Sequence, residues 1–333
     1  MNIGVVGAGS WGTSLANVLA KKGYSIQLWA YEEELVEYMQ HHRENNQYLP
    51  GISLHQNLSF TSSLQEAVAH EVVVLVPPSQ LMRSVLEKAA PFIDPSTTII
   101  SASKGIENTT LDLMSNVIND VLEGHYTEGK IAFISGPTFA REIAHEIPSA
   151  AVVASEHEDV ATMARDLFST DYFRLYSNDD VIGTEIGGAL KNIIALAAGV
   201  CDGLEYGNNT RAALITRGLA EMKRIGLALG ARSETFAGLA GMGDLVLTCT
   251  GELSRNRTVG IALGEGKKLS DILSHMHMVA EGVETTRSAY QLAKKLEIDV
   301  PIINQMYAVL YENKDPRTAV IELMQRSLKS EYI

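Results

Sequence analysis

The pattern of apolar and polar residues changes near residue 180. Before that point, short apolar runs typical of β-strands alternate with segments typical of helices. The predicted strands are 2–6, 25–30, 71–76, 97–101, 130–135, 150–154 and 172–176, with helices at 14–22, 80–90 and 110–122. The run at 71–76 is continuously apolar, as expected of a parallel strand covered on both faces. The first half is therefore predicted to be an α/β domain with a doubly wound sheet.

The second half shows only helical patterns. The predicted helices are 181–203, 210–230, 254–263, 270–276, 284–296, 302–312 and 316–327. No linker rich in Gly, Pro or Ser separates the halves, so only the change of pattern marks the boundary. We predict an α/β domain over residues 1–180 and an all-α domain over residues 181–333.

A single lysine interrupts the most apolar helix. Residues 186–201 are IGGALKNIIALAAGVC, and Lys191 is the only charged residue among them. Because apolar side chains point in almost every direction, this helix is predicted to be buried on most sides. A lysine there would lose hydration, which lowers its pKa and lets it act as a base near neutral pH. The alternative is a lysine whose stem lies along apolar surface while its amine reaches water.

A glycine-rich loop directly follows the first predicted strand and opens the first helix. The loop reads Gly7-Ala8-Gly9-Ser10-Trp11-Gly12, a G-x-G-x-x-G pattern. Gly7 allows the tight turn, Gly9 lets the backbone approach a pyrophosphate, and Gly12 lets the helix pack on the strand. The free N–H groups of the helix N-terminus favour the phosphates. The loop therefore predicts a dinucleotide-binding, Rossmann-type domain; the alternative is a purely structural glycine turn.

The identity of the dinucleotide depends on the end of the second strand, where an acidic residue would contact the ribose hydroxyls. Glu32 has the spacing expected for NAD, but the acidic run 32–34 is equally consistent with the first turn of a helix. No arginine or lysine stands between this strand and Arg43, so a clamp for the 2′-phosphate of NADP is not evident.

Two further segments follow predicted strands, where ligands bind in open α/β sheets. Lys104 lies in SASKGIE (101–107), and SGPTFA (135–140) follows the next strand. Lys104 is equally consistent with an exposed loop lysine. In the second segment, a Gly-Pro turn directs backbone N–H groups and Thr138 toward the same crevice.

The helical half contains two polar motifs. GMGDL (241–245) is either a turn, for which Gly and Asp are suited, or a means of placing Asp244 against a substrate hydroxyl or a catalytic ammonium. In SRNR (254–257), Ser254 is predicted to cap a helix whose first turn presents Arg255 and Asn256. Such a helix start is a natural phosphate site; the alternative is a basic turn facing solvent.

Composition narrows the class of partner. The chain has 333 residues, 27 Lys plus Arg and 40 Asp plus Glu, for a net charge of −13, which argues against nucleic acid or anionic membranes as partners. Two distant cysteines and scattered histidines predict reduced thiols in a cytoplasmic protein and no metal site. No signal peptide is predicted, and the apolar run around Lys191 is too short for a membrane span.

These motifs together resemble one enzyme family. GAGSWG (7–12), Lys104-Gly105, SGPTFA (135–140), GGALKNI (187–193), ALITRGLAEM (213–222), GMGDLVLTCT (241–250) and SRNR (254–257) occur in the order found in bacterial-type NAD(P)-dependent glycerol-3-phosphate dehydrogenases. The resemblance extends from Ile3 to about Leu328. It implies a Rossmann domain joined to a helical domain, commonly in a dimer, that interconverts sn-glycerol 3-phosphate and dihydroxyacetone phosphate for glycerophospholipid synthesis.

The resemblance also implies site residues. Lys191 would be the base, assisted by Lys104, Asp244 and Asn192. The implied substrate-binding residues are Lys104, Gly136, Thr138, Lys191, Asn192, Asp244, Thr248, Ser254, Arg255 and Asn256. The implied cofactor-binding residues are Gly7, Gly9, Ser10, Trp11, Gly12, Tyr31, Lys104, Ala140, Arg255, Val279 and Glu281. Tyr31 stands where many members have a basic residue, which weakens the expectation of NADP.

The sequence is also consistent with two other classes of protein. One is a different β-hydroxyacid-type dehydrogenase, since those also join a Rossmann domain to a helical domain with a helix-borne lysine. The other is a non-catalytic dinucleotide sensor, which needs the loop at 7–12 but has no use for Lys191, Asp244 and Arg255 together.

Overall fold

The protein is described by a computed structural model covering residues 1–124, 130–276, 280–328 and 330–331. The described part of the first half contains ten strands: β1 Asn2–Val6, β2 Ser25–Trp29, β3 Glu44–Asn45, β4 Leu49–Ser53, β5 Leu58–Thr61, β6 Val72–Leu75, β7 Thr98–Ser101, β8 Ile131–Ser135, β9 Ser149–Ala154 and β10 Phe173–Asn178. Eight of them form one sheet of order β10-β9-β8-β7-β6-β1-β2-β5, and β3 pairs with β4 separately.

The sheet confirms the predicted doubly wound fold. From β5 to β8 its order is the 3-2-1-4-5-6 arrangement of a dinucleotide-binding domain, and every neighbouring pair in that part is parallel. Helices α1 Ser10–Lys21, α2 Glu33–His42, α3 Leu64–Val68, α4 Met82–Ala89, α5 Met114–Leu122, α6 Ala140–Ala144 and α7 Glu158–Phe168 accompany the strands.

One strand pair departs from the purely parallel pattern. β9 runs antiparallel to β8, whereas β9 and β10 are parallel to each other. A parallel return would need a long crossover across a face of the sheet. Between β8 and β9 the chain forms only the five-residue helix α6, and Ser14 Oγ of α1 donates to the Ala140 carbonyl oxygen over 3.0 Å. The next strand therefore runs back in the opposite direction.

The second half is helical, as predicted. Its helices are α8 Val181–Gly203, α9 Asn208–Ala228, α10 Ser233–Ala237, α11 Asp244–Thr250, α12 Arg255–Gly264, α13 Leu269–Ser274, α14 Glu281–Lys295, α15 Pro301–Tyr311 and α16 Pro316–Met324. Strand β10 ends at Asn178 and α8 begins at Val181.

Helix α8 lies at the centre of this domain. Among the described helices it alone has the length and hydropathy of a membrane span, and 94 % of its most apolar window is buried inside the protein. Glycines let α12 cross it closely: a Cβ on Gly199 would lie 2.1 Å from the Arg257 carbonyl oxygen, and one on Gly260 would lie 2.1 Å from that of Leu196. This crossing brings the start of α12 near Lys191.

Candidate active site between the two domains

Lys191 lies inside the protein with its amine against a carboxylate. The residue is 7 % exposed, and its Nζ donates to Asp244 Oδ1 in α11. Burial is the main cause that lowers the pKa of Lys191 to about 8; Asp244 opposes this shift and the charge of Lys104 adds to it. Of the two interpretations of this lysine, the structure supports the buried amine rather than one that reaches water.

Asp244 joins two lysines from different domains. Its Oδ2 accepts from Lys104 Nζ over 2.8 Å, while Oδ1 faces Lys191. The carboxylate is fully buried, and Thr248 Oγ1 donates to the Asp244 carbonyl oxygen (2.6 Å) and to Oδ1 (3.3 Å). Lys104 follows β7 and also donates to the Gly136 carbonyl oxygen over 3.3 Å. The carboxyl edge of the sheet thus meets the helical domain at this carboxylate.

The turn interpretation of GMGDL is wrong. Residues Leu239–Gly243 form a π-helical segment that continues into α11, with Asp244 as its first residue. A Cβ on Gly241 would lie 2.3 Å from the Phe236 carbonyl oxygen, so this glycine serves close packing.

Gly188 makes room for the Lys104 stem, although no motif singled this glycine out as a site residue. A Cβ on Gly188 would lie 3.3 Å from the Lys104 stem and 2.7 Å from Ser135 Oγ. That hydroxyl is buried and has no hydrogen-bond partner in the part of the chain that the structure describes. The GG pair in GGALKNI is the only sequence signal for this packing.

The two arginines of SRNR are placed differently. Ser254 caps α12 as predicted, with Oγ accepting from the Arg257 N–H over 3.2 Å. The Arg257 guanidinium donates to Asp202 Oδ2 over 2.7 and 2.8 Å. Arg255 is exposed and forms no hydrogen bond or ion pair within the described ranges. Among the described residues, the first turn of α12 therefore keeps an unpaired cation beside its N–H groups, as an anion site requires.

Asn192 and Asn256 bond to each other. Asn256 Nδ2 donates to Asn192 Oδ1 over 3.0 Å, and Asn256 Oδ1 accepts from the Gly282 N–H over 2.9 Å. No hydrogen bond joins Asn192 to Lys191, although both side chains lie in described residues. These two hydrogen bonds link α8, α12 and α14 at the turn that carries Arg255.

The glycine loop has the shape that a dinucleotide needs. Gly7 has a φ of 116°, and a Cβ on it would lie 2.8 Å from the Val76 backbone; a Cβ on Gly12 would lie 1.9 Å from the Gly7 carbonyl oxygen. Gly9 has open space on that side, as a site of pyrophosphate approach requires. The buried Trp11 Nε1 has no partner among the described residues, and Ser10 Oγ donates to the Tyr48 carbonyl oxygen.

The residues that follow β2 bear on which dinucleotide the protein prefers. Glu32 is the residue before α2, so the helix-start interpretation holds for the acids that follow it, while Glu32 itself accepts from the Tyr48 hydroxyl over 2.8 Å. Tyr31 is 79 % exposed at the cofactor end of the sheet. Arg43 donates to three carbonyl oxygens of the 54–58 loop and so is not free to clamp a phosphate.

The remaining predicted residues lie around the same crevice or outside the description. Thr138 Oγ1 donates to the Gly136 carbonyl oxygen over 3.1 Å. Glu281 begins α14 and accepts from Ser79, a residue that sequence analysis did not single out. Val279 lies outside the described residues.

A glycine-rich nucleotide loop, a parallel sheet and a buried lysine at the domain junction define the class of two-domain dinucleotide-dependent dehydrogenases. Family models for the N- and C-terminal parts of NAD-dependent glycerol-3-phosphate dehydrogenase match residues 2–161 and 180–321. The chain belongs to this family, which confirms the resemblance.

Individual relatives also support this family assignment. The chain is 60 % identical over 332 residues to glycerol-3-phosphate dehydrogenase [NAD(P)+] of Syntrophotalea carbinolica, with 99 % of both chains covered. It is similar to the crystal structure of the Coxiella burnetii glycerol-3-phosphate dehydrogenase, with a TM-score of 0.93, 40 % identity and coverage of 98 % and 99 %. A ketopantoate reductase from Ralstonia eutropha is 14 % identical with a TM-score of 0.64, and shares the fold alone.

Proposed function

We propose that this protein transfers a hydride reversibly between NAD(P)H and dihydroxyacetone phosphate to form sn-glycerol 3-phosphate. The single observation that supports it best is the buried Asp244 carboxylate held between Lys191 and Lys104, with Arg255 left free nearby. A proton-accepting amine and a separate anion site are what a phosphorylated secondary alcohol requires.

Lys191 is the proposed base. When the alcohol is oxidised, the C2–H bond breaks and its electron pair leaves as hydride, while neutral Lys191 accepts the C2 hydroxyl proton at Nζ. In the reduction, the Lys191 ammonium returns that proton to the oxygen. A pKa of about 8 lets both forms of the amine exist near neutral pH.

Asp244 and Lys104 set the state of this amine. Asp244 fixes the position of Nζ through its Oδ1. Lys104, bonded to the other carboxylate oxygen, opposes a second positive charge and so favours neutral Lys191. Its ammonium is also placed to stabilise negative charge that develops on the substrate oxygen.

Arg255 and the first turn of α12 are proposed to bind the phosphate group, since Arg257 is already paired with Asp202. Asn192 and Asn256 then position this turn through their mutual hydrogen bond. Gly136, Thr138, Thr248 and Ser254 complete the proposed substrate site.

The loop at 7–12, with Tyr31, Ala140 and Glu281, is proposed to hold the dinucleotide, whose nicotinamide ring supplies the hydride acceptor when bound. We expect NAD to be preferred, because Tyr31 and Glu32 are not basic and Arg43 is committed to carbonyl oxygens. We also propose that the chain works as a cytoplasmic homodimer in glycerophospholipid synthesis, as the family resemblance implies.

The activity is tested by following nicotinamide absorbance with dihydroxyacetone phosphate and each reduced cofactor in turn. Oxidation of NADH that needs this substrate, and faster turnover than with NADPH, is the expected result. Turnover of 3-hydroxyisobutyrate or 6-phosphogluconate instead would indicate a β-hydroxyacid dehydrogenase. Binding of NADH without turnover of any of these substrates would indicate a sensor.

A further inference from the structure

A partly buried carboxylate lies close to the free guanidinium without pairing with it. Glu281 at the start of α14 lies beside the first turn of α12, since the neighbouring Gly282 N–H donates to Asn256 Oδ1 over 2.9 Å, yet Glu281 and Arg255 form no ion pair among the described residues. Opposite charges attract, and an Arg–carboxylate pair favours two parallel hydrogen bonds. The other contacts of Glu281 therefore bear on whether it pairs with Arg255.

Ser79 provides such contacts from the other domain. It lies at the end of the loop that follows β6 and is fully buried. Its Oγ donates to Glu281 Oε2 over 2.7 Å, and its backbone N–H donates to Oε1 over 3.4 Å. Both carboxylate oxygens thus have a donor on the side of the nucleotide-binding domain.

The position of Ser79 is fixed by its neighbours. A Cβ on Gly105 would lie 2.2 Å from Ser79 Oγ, so the glycine after Lys104 leaves the space that this hydroxyl fills. The adjacent Gln80 side chain donates to the Ile106 carbonyl oxygen over 2.8 Å and accepts from the Asn108 N–H over 2.9 Å. The serine therefore has little freedom to turn away from Glu281.

A second contact of the same kind lies one turn further along α14. Asn108 Nδ2 donates to Glu284 Oε2 over 2.8 Å. Residues three apart on a helix share a face, so two carboxylates of α14 point toward loops of the nucleotide-binding domain. The first turn of α14 is thereby docked across the domain junction.

We propose that Ser79 is a positioning residue of the phosphate site: by holding both oxygens of Glu281 it keeps Arg255 unpaired for the phosphate group of the substrate. This inference rests on the proposed function, in which Arg255 binds that phosphate. Without the serine hydroxyl, the Glu281 carboxylate rotates toward the guanidinium and competes with the substrate anion.

The substitution Ser79→Ala tests this role. If Glu281 then pairs with Arg255 in about nine of ten molecules, the apparent affinity for phosphate falls roughly tenfold. We expect KM for dihydroxyacetone phosphate to rise by about that factor while kcat changes little. The Kd of glycerol 3-phosphate for the cofactor-free protein, measured by calorimetry, should rise in parallel. Ser84→Ala is the matched control, because Ser84 is exposed and its hydroxyl bonds only to Leu81 of the same segment.

Repeating Ser79→Ala in a Glu281→Gln protein distinguishes an effect on the position of Glu281 from an effect on the structure of the loop. With Glu281→Gln, no carboxylate competes for Arg255, so adding Ser79→Ala should leave KM and Kd unchanged relative to Glu281→Gln alone. An equal rise of KM in both backgrounds would mean that Ser79 acts only on the structure of the loop, and no rise in either would refute the proposal.

The proposed function can fail separately from the role of Ser79. An unchanged KM in Arg255→Ala would remove the phosphate assignment itself. A raised KM in Arg255→Ala together with normal kinetics in Ser79→Ala would overturn only the role of Ser79.

Discussion

The domain junction and the core of the helical domain both contain a buried carboxylate, but its partners differ. Asp244 at the junction is 0 % exposed and faces the ammonium groups of Lys191 and Lys104. Glu221 in α9 is 1 % exposed and accepts from the N–H groups of Ile302 (2.7 Å) and Ile303 (3.1 Å), where α15 begins.

The chemical nature of the partners distinguishes a buried carboxylate that takes part in proton transfer from one that only stabilises the fold. Backbone N–H groups cannot give up their protons, so Glu221 fixes the start of α15 and burial raises its pKa to about 7. Lysine ammonium groups do exchange protons, and at the junction burial lowers the pKa of Lys191 to about 8. A buried acid therefore indicates proton chemistry only where its partners are themselves titratable.

The strongest test of this contrast removes the amine at the junction. Lys191→Ala should lower kcat by at least about 10³-fold, because it removes the proposed acceptor of the C2 hydroxyl proton. Steady-state kinetics measures this effect, and fluorescence titration with NADH should show nearly unchanged cofactor affinity. The exposed Lys267→Ala is the control and should match the parent protein. Turnover near that of the parent would refute the assignment of the base.

The free and the paired arginine of α12 should differ next most. Arg255→Ala should raise KM for dihydroxyacetone phosphate by roughly 10- to 100-fold, the effect of losing hydrogen bonds to a charged group. Arg257→Ala should leave KM within about threefold of the parent value and instead lower the free energy of unfolding by roughly 1–2 kcal/mol, since it breaks the contact with Asp202. Equal KM values for the two variants would place the phosphate elsewhere.

The pH dependence of the rate should follow Lys191. Its folded pKa is depressed from 10.5 to about 8, so the neutral base accumulates as pH rises through 8. For glycerol 3-phosphate oxidation, kcat/KM should rise about tenfold per pH unit below that value and level off above it. The reduction needs the ammonium and should show the opposite slope above pH 8. A flat profile for oxidation between pH 7 and 9 would contradict this assignment.

Glu221 should affect stability but not chemistry. Glu221→Gln replaces one acceptor oxygen by an amide N–H₂, so the free energy of unfolding should fall by about 1–2 kcal/mol with kcat unchanged. Because the folded pKa is raised from 4.5 to about 7, the folded state binds the proton more tightly, and this group's contribution to stability falls as pH rises from 4.5 to 7.

Urea unfolding at several pH values measures both effects, with the exposed Glu252→Gln as control. Between pH 4.5 and 7, the free energy of unfolding of Glu221→Gln should depend less on pH than that of the parent protein, because the variant lacks this titrating carboxyl group. An altered kcat in Glu221→Gln would contradict the prediction that Glu221 affects only stability.

Local pattern predicted much of this molecule. The apolar runs of β1 and β6 to β8, the glycine loop and the central helix were readable because each depends on periodicity or spacing within a short segment. Strand β5 and helix α7 lie outside the predicted elements. β5 owes its place to pairing with β2, so its short sequence gives little signal by itself.

Interactions between distant residues were decided by the tertiary structure alone. Asp244 stands 53 residues from Lys191 and 140 from Lys104 along the chain, yet it bonds to both. Which arginine of SRNR stays free depends on Asp202, and the antiparallel step between β8 and β9 depends on how the chain passes α1. The sequence by itself determined the fold class and placed a lysine in an apolar helix, because helix and strand preferences act over a few neighbouring residues. Only packing could decide which groups surround that lysine, because charge and hydration at a buried amine depend on side chains that the fold brings together.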